Sequence, residues 1–85
     1  MTPEEIITIL EQNLDNAEIP ECTGDGSHFN VTVVSDNFDG LRPVKRQQMI
    51  YQHLNDQITS GELHAIGIKT YTKGEWKTAK KLMIG

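Results

Sequence analysis

Cysteine is nearly absent: Cys22 is the only one in 85 residues, so no intramolecular disulfide can form, which suits a reducing compartment. Long apolar runs are missing too. No stretch approaches the ~20 residues of a membrane-spanning helix, and the chain opens on an acidic helix pattern where a secretory signal would be basic and then apolar. Cytoplasmic residence without membrane association is expected. Positive charge is absent from residues 1–40, which hold nine acidic side chains and no Lys or Arg, whereas residues 41–85 hold eight basic and three acidic ones. The net charge of -4 therefore conceals a bipolar chain, in which each half can steer a partner of opposite sign. No nucleophile and base pair, paired catalytic carboxylates, Walker loop or four-ligand zinc spacing occurs. Gly24-Asp25-Gly26 precedes a strand pattern, the wrong context for a phosphate loop opening a helix. A non-enzymatic protein is expected.

What is present fits one domain spanning 1–85, which at this length buries only ~60 to 65% of its unfolded surface and supports one sheet with a few helices. Thr2-Pro3-Glu4-Glu5 is a capping box with proline at the first helical position. Ile6, Ile7, Ile9, Leu10 and Leu14 continue it as a core-covering helix ending near Asn16. Ile19 to Thr23 reads as an edge strand that tolerates Pro20, and Gly24 to Ser27 turns the chain. His28 to Ser35 is the strongest strand, with Phe29, Val31 and Val33 alternating against His28, Asn30 and Thr32. After a turn at Asp36 to Gly40, Pro43 starts a helix whose Val44, Tyr51, Leu54 and Ile58 recur at heptad-like intervals, with a bend or break expected around His53. Gly61 terminates it. His53 itself reads as a packing or surface residue.

The segment His64 to Trp76, HAIGIKTYTKGEW, is the most informative. Leu63 to Tyr71 reads as a strand on which His64, Ile66 and Ile68 share a face. Thr72 is a predicted N-cap with Glu75 returning a bond to its amide, and Tyr71 and Trp76 occupy the staple positions. Gly74 and Lys73 weaken that helix start slightly. With Phe38-Asp39-Gly40 leading into a basic helix, and with GDGSHF at 24–29, this segment resembles the BolA-like proteins over nearly the whole chain, and more closely their short IbaG-type bacterial branch. Two departures are visible. Lys45-Arg46-Gln47-Gln48 replaces an Arg-His-Arg run, which fits the IbaG-type branch, and Lys73-Gly74 replaces Pro-Glu after the capping threonine.

The elements order as α-β-β-α(α)-β-α, an α+β fold with a three-stranded mixed sheet and helices on one face. The resemblance implies the class II KH-like arrangement. A helical crossover joins the second and third strands, as a parallel pair requires. Parallel neighbours begin at the same end, so Cys22, the 24–27 loop, His28 and His64 converge there. A neutral imidazole is a good ligand for iron, and replacing a thiolate by histidine raises the potential of an iron-sulfur centre.

In the BolA-like family the histidine matching His64 ligates a [2Fe-2S] cluster shared with a monothiol glutaredoxin and its glutathione, and a second ligand comes from the loop between the first two strands. The resemblance thus implies an adaptor that shares or transfers a cluster in iron-sulfur and iron homeostasis, with no cluster held firmly by the isolated chain and with iron-sulfur apo-proteins as further partners. His28 is the preferred second ligand because it points away from the Phe29 face. Cys22, softer but suited to a small buried hydrophobe, is the alternative. The competing reading is a nucleic-acid-binding transcriptional regulator using Arg42, Lys45 and Arg46 on the basic helix. No Gly-x-x-Gly loop of the KH type occurs, and overall acidity argues against tight phosphate binding.

Overall fold

Thr2 opens the molecule as expected: its Oγ1 accepts from the Glu5 N–H at 3.2 Å, and α1 runs over Pro3–Asn13 in the computed structural model, which describes residues 1–84. The helix stops before Asn16. Leu14 turns extended while its N–H still reaches the Leu10 carbonyl at 2.9 Å, and Asn16 takes a φ of 56°, which a short amide side chain tolerates. Ile6 and Leu10 are fully buried.

β1 (Glu18–Asp25) is longer than its pattern implied, and its pairing with β2 (His28–Val34) slips between Glu18 and Glu21. Pro20 sits in that irregularity, where its missing N–H costs no ladder bond. The hairpin turn is tighter than expected: Asp25 pairs with His28, leaving Gly26 and Ser27 as the two-residue loop, with Gly26 at φ 60°. A 3₁₀ turn over Asp36–Phe38, capped by the Ser35 hydroxyl, drops Phe38 into the core.

α2 (Pro43–Ser60) is one unbroken helix ending at Gly61 in the left-handed region, φ 84°. The expected break at His53 is absent, since nothing between Pro43 and Gly61 removes a backbone bond. Its heptad reading also needs correction. Leu54 is buried, but Val44, Tyr51 and Ile58 are 67%, 40% and 38% exposed, and the buried stripe is Arg46, Ile50 and Leu54. A charged residue occupies a core position, which disguised the true face.

β3 (Ala65–Tyr71) pairs in parallel with β2, giving sheet order β1-β2-β3. α1 and α2 cover the face carrying Phe29, Val31 and Val33, and Ile66 and Ile68 pack against the same core. α3 (Lys73–Ile84) leaves from the far end. Its Trp76 meets Tyr71 at 5.2 Å between ring centroids and lines a shallow depression with Val34, so it caps the end of the opposite face.

The capping box at α3 is complete: the Glu75 N–H donates to Thr72 Oγ1 at 3.2 Å and the Thr72 N–H donates to Glu75 Oε1 at 2.9 Å. Glu75 also takes a bidentate pair from Arg46, at 2.6 and 3.2 Å. Thr72→Ala should therefore cost ~1 kcal/mol. Trp76 is only half-buried, so Trp76→Ala should cost about 2 kcal/mol, less than a core aromatic. Urea unfolding of both variants checks the ranking.

Candidate histidine site

The site is built at the end of the sheet where β2 and β3 both begin. Parallel register sets His28 opposite Ala65, one residue beyond His64. The Ser27 carbonyl accepts two backbone N–H bonds, from His64 at 2.9 Å and Ala65 at 3.1 Å. That single oxygen ties the hairpin turn to the entrance of β3. The two imidazoles consequently meet edge to face, with ring centroids 6.4 Å apart and planes at 87°. Both residues are exposed. Neither ring takes part in a hydrogen bond with another described residue, so their nitrogen lone pairs are free for a ligand.

His64 differs in one respect from the expectation. It lies in a bend just before β3 and not within the strand, so it does not share the buried face of Ile66 and Ile68. Leu63, the preceding residue, is the one that enters the core at 1% exposure. An anchored leucine followed by a free histidine holds the ring at the surface on a rigid base.

Cys22 is not brought to this pair. It lies opposite Val31, three residues along β2 from His28 and hence ~10 Å away along the strand, and packs against the core. Burial pushes its thiol pKa up, and Glu4 adds to the shift. A thiol held protonated is a poorer ligand and nucleophile.

A family model for BolA-like protein matches residues 2–75. The chain belongs to the BolA-like family. It is 42% identical over 82 residues to the acid stress protein IbaG of Escherichia coli (strain K12), covering 96% of each chain. It is 44% identical over 75 residues to the DNA-binding transcriptional regulator BolA of Vibrio cholerae, spanning 88% of this chain and 66% of that one. The solved structure of a bolA protein homologue from Coxiella burnetii is similar, with a TM-score of 0.83 at 30% identity over 91% of this chain and 97% of that one.

Within this BolA-like fold Arg42, which caps α2, and Lys45 and Arg46 in its first turns do not act alike. Arg42 and Lys45 are exposed at the start of the helix. Arg46 is not part of that surface. Its side chain is 11% exposed, donates to the Leu41 carbonyl at 2.9 Å, lies 5.9 Å from the Phe38 ring centroid and pairs with Glu75. The hydrogen bonds to Glu75 raise its pKa. Arg46 is a structural clamp between α2 and α3, which removes it from the set available to phosphate.

Arg46 first, and then the Thr72 N–H, hold the Glu75 carboxyl below its ordinary value near 4.5. A depressed folded pKa means that Glu75 contributes stability above its unfolded pKa and loses it as pH falls through the folded one. Glu75 is 47% exposed, so screening keeps the effect modest. Glu75→Gln should be less stable than wild type at neutral pH, and the gap should close as pH drops below ~4. Urea midpoints across that range measure it.

Sequence reasoning missed the Ser27 carbonyl, which has no side-chain signature, and Gly24, whose spacing before His28 was visible but read only as a turn. A Cβ at Gly24 would stand 2.3 Å from the His28 carbonyl oxygen, so glycine lets β1 lie against the strand start that carries His28.

Proposed function

We propose that this BolA-like chain is a non-enzymatic adaptor that pairs with a monothiol glutaredoxin and shares or passes on a [2Fe-2S] cluster. The observation supporting this reading is the exposed, hydrogen-bond-free pair His28 and His64 at one end of the sheet. Among the described residues no group of three or more His, Cys, Asp or Glu is arranged to hold a metal ion. Two imidazoles are half of a typical four-ligand shell. The donor set therefore fits a centre completed from outside, by the glutaredoxin cysteine and a glutathione thiolate. His28 and His64 would hold the cargo on this side, and both are free to change rotamer toward it. Neutral imidazole in place of thiolate lowers the negative charge of the centre and raises its potential.

The test is the visible absorption and circular dichroism spectrum after mixing the chain with a monothiol glutaredoxin, glutathione, iron and sulfide. A spectrum specific to the heterodimer is the expected result. A mixture whose spectrum is the sum of its parts would dismiss the reading.

A second reading has one specific support, the similarity to a relative named as a DNA-binding transcriptional regulator. On this chain it would rest on Arg42 and Lys45, since Arg46 is spent on Glu75. Two exposed cations give a shallow salt dependence, about one unit of slope per phosphate contact, which ranks it second.

A further inference from the structure

α3 carries Lys73, Lys77 and Lys80 at helical spacing, which sets three ammonium groups on one side of the helix along ~10 Å of its axis. Trp76 stands among them. These four side chains, with Val34 of β2 beneath and Glu18 of β1 on the far rim, enclose a depression of about 290 Å³ on the face of the sheet that α1 and α2 leave open. Among the described residues the ion pair is Arg46 with Glu75, and none of the three lysines has a carboxylate partner. The N-terminus of α3 is already neutralised. Asp36 Oδ1 accepts from the Lys73 N–H at 3.0 Å, and Glu75 Oε1 accepts from the Thr72 N–H at 2.9 Å. An anion arriving here therefore meets the lysine side chains and not the helix dipole.

We infer that this depression binds a free nucleotide, with the base against Trp76 and the phosphate on Lys73, Lys77 and Lys80. The site is independent of the adaptor reading, because Val34 ends β2 at the opposite end from His28, ~20 Å away along the strand. Three features select the ligand. First, Tyr71 holds the indole at 5.2 Å between centroids with planes at 49°, so Trp76 offers a fixed surface of the kind on which bases stack. Second, the Glu18 carboxylate on the opposite rim is acceptor-only, so it takes an exocyclic amino group of a base and keeps phosphate on the lysine side. Third, a volume of about 290 Å³ is at the small end of ligand sites and holds one nucleoside. A nucleic-acid strand fits worse. Beyond the depression the sheet face carries Glu21 and Lys69, whose charges cancel, so no basic track continues for a backbone. A lipid surface fits worse as well, since Trp76 packed on Tyr71 cannot enter the acyl region without leaving its place.

Trp76 is the single tryptophan of the chain, so its fluorescence reports directly on the site. Titration of the full chain with AMP at low salt should quench the emission saturably, and added salt should weaken the binding. Lys77→Glu and Lys80→Glu, both at exposed positions, should each raise the half-saturating concentration about tenfold with melting temperature unchanged. Lys45→Glu on α2 should titrate as wild type. Ribose 5-phosphate, which lacks the base, should leave the emission unchanged and displace AMP only at about tenfold higher concentration. Absence of saturable quenching by AMP up to about 5 mM, or quenching that both Lys77→Glu and Lys80→Glu retain in full, overturns the inference. Displacement of AMP by inorganic phosphate at equal concentration does so too, by reducing the site to an anion patch. A single-stranded oligonucleotide or phosphatidylglycerol vesicles bound more tightly than AMP, and lost in both lysine variants, would give the surface to that partner instead.

Discussion

His64→Ala should abolish the shared-cluster spectrum and leave the fold nearly intact. The residue is exposed, precedes the first bonded position of β3, and takes part in the structure through its backbone N–H to the Ser27 carbonyl, which alanine keeps. Side-chain removal at such a position is ordinarily worth less than about 0.5 kcal/mol. Melting should therefore hardly change while the spectrum disappears. His28→Ala should bleach or shift the spectrum, because its ring is the one that faces His64 at 6.4 Å. Cys22→Ala should change stability and leave the spectrum in place, because its thiol is packed toward the core. A folded His64→Ala protein with a normal heterodimer spectrum would remove the central claim.

Gly24→Ala should be the most damaging of the conservative changes. Gly24 has φ 143°, where side chains are strained, and an added Cβ would also lie 2.7 Å from the Phe29 Cα. Both obstacles are backbone, so neither can swing aside as a side-chain tip would. The strain and the clash together should cost ~3 kcal/mol or more, a drop of at least ~12 °C in melting temperature for a chain of this size. The register Gly24 to Phe29 and Asp25 to His28 is what carries His28 to its place. The spectrum should therefore weaken even below the melting transition. A variant with wild-type melting would show that the hairpin relaxes around the methyl group, and that close packing here is not what positions His28.

The element order, the hairpin, the full capping box of the last helix and the alternation of Phe29, Val31 and Val33 were all legible in the chain. Each is a local pattern with a local cause: a cap needs a hydroxyl and a carboxylate three residues apart, and a half-buried strand needs a period of two. Topology brings the starts of the parallel strands together, which places His28 near His64, but it was the resemblance to the BolA-like family that marked these histidines as ligand candidates.

Tertiary structure decided the rest. Only the packed molecule shows that Arg46 occupies the buried stripe of α2, because its partner Glu75 lies 29 residues away and periodicity counts a cation as surface. With Arg46 in the buried stripe, Val44, Tyr51 and Ile58 face outward instead of into the core, and the basic surface holds one charge fewer. The separation of Cys22 from the histidines was likewise invisible, since it depends on pairing register and on which face of β1 meets α1. Sequence patterns determine which elements form and which faces are apolar; the long-range pairings that neutralise a buried charge or close two strands on one carbonyl are set by three-dimensional contact alone, because their energies depend on distances that sequence separation does not encode.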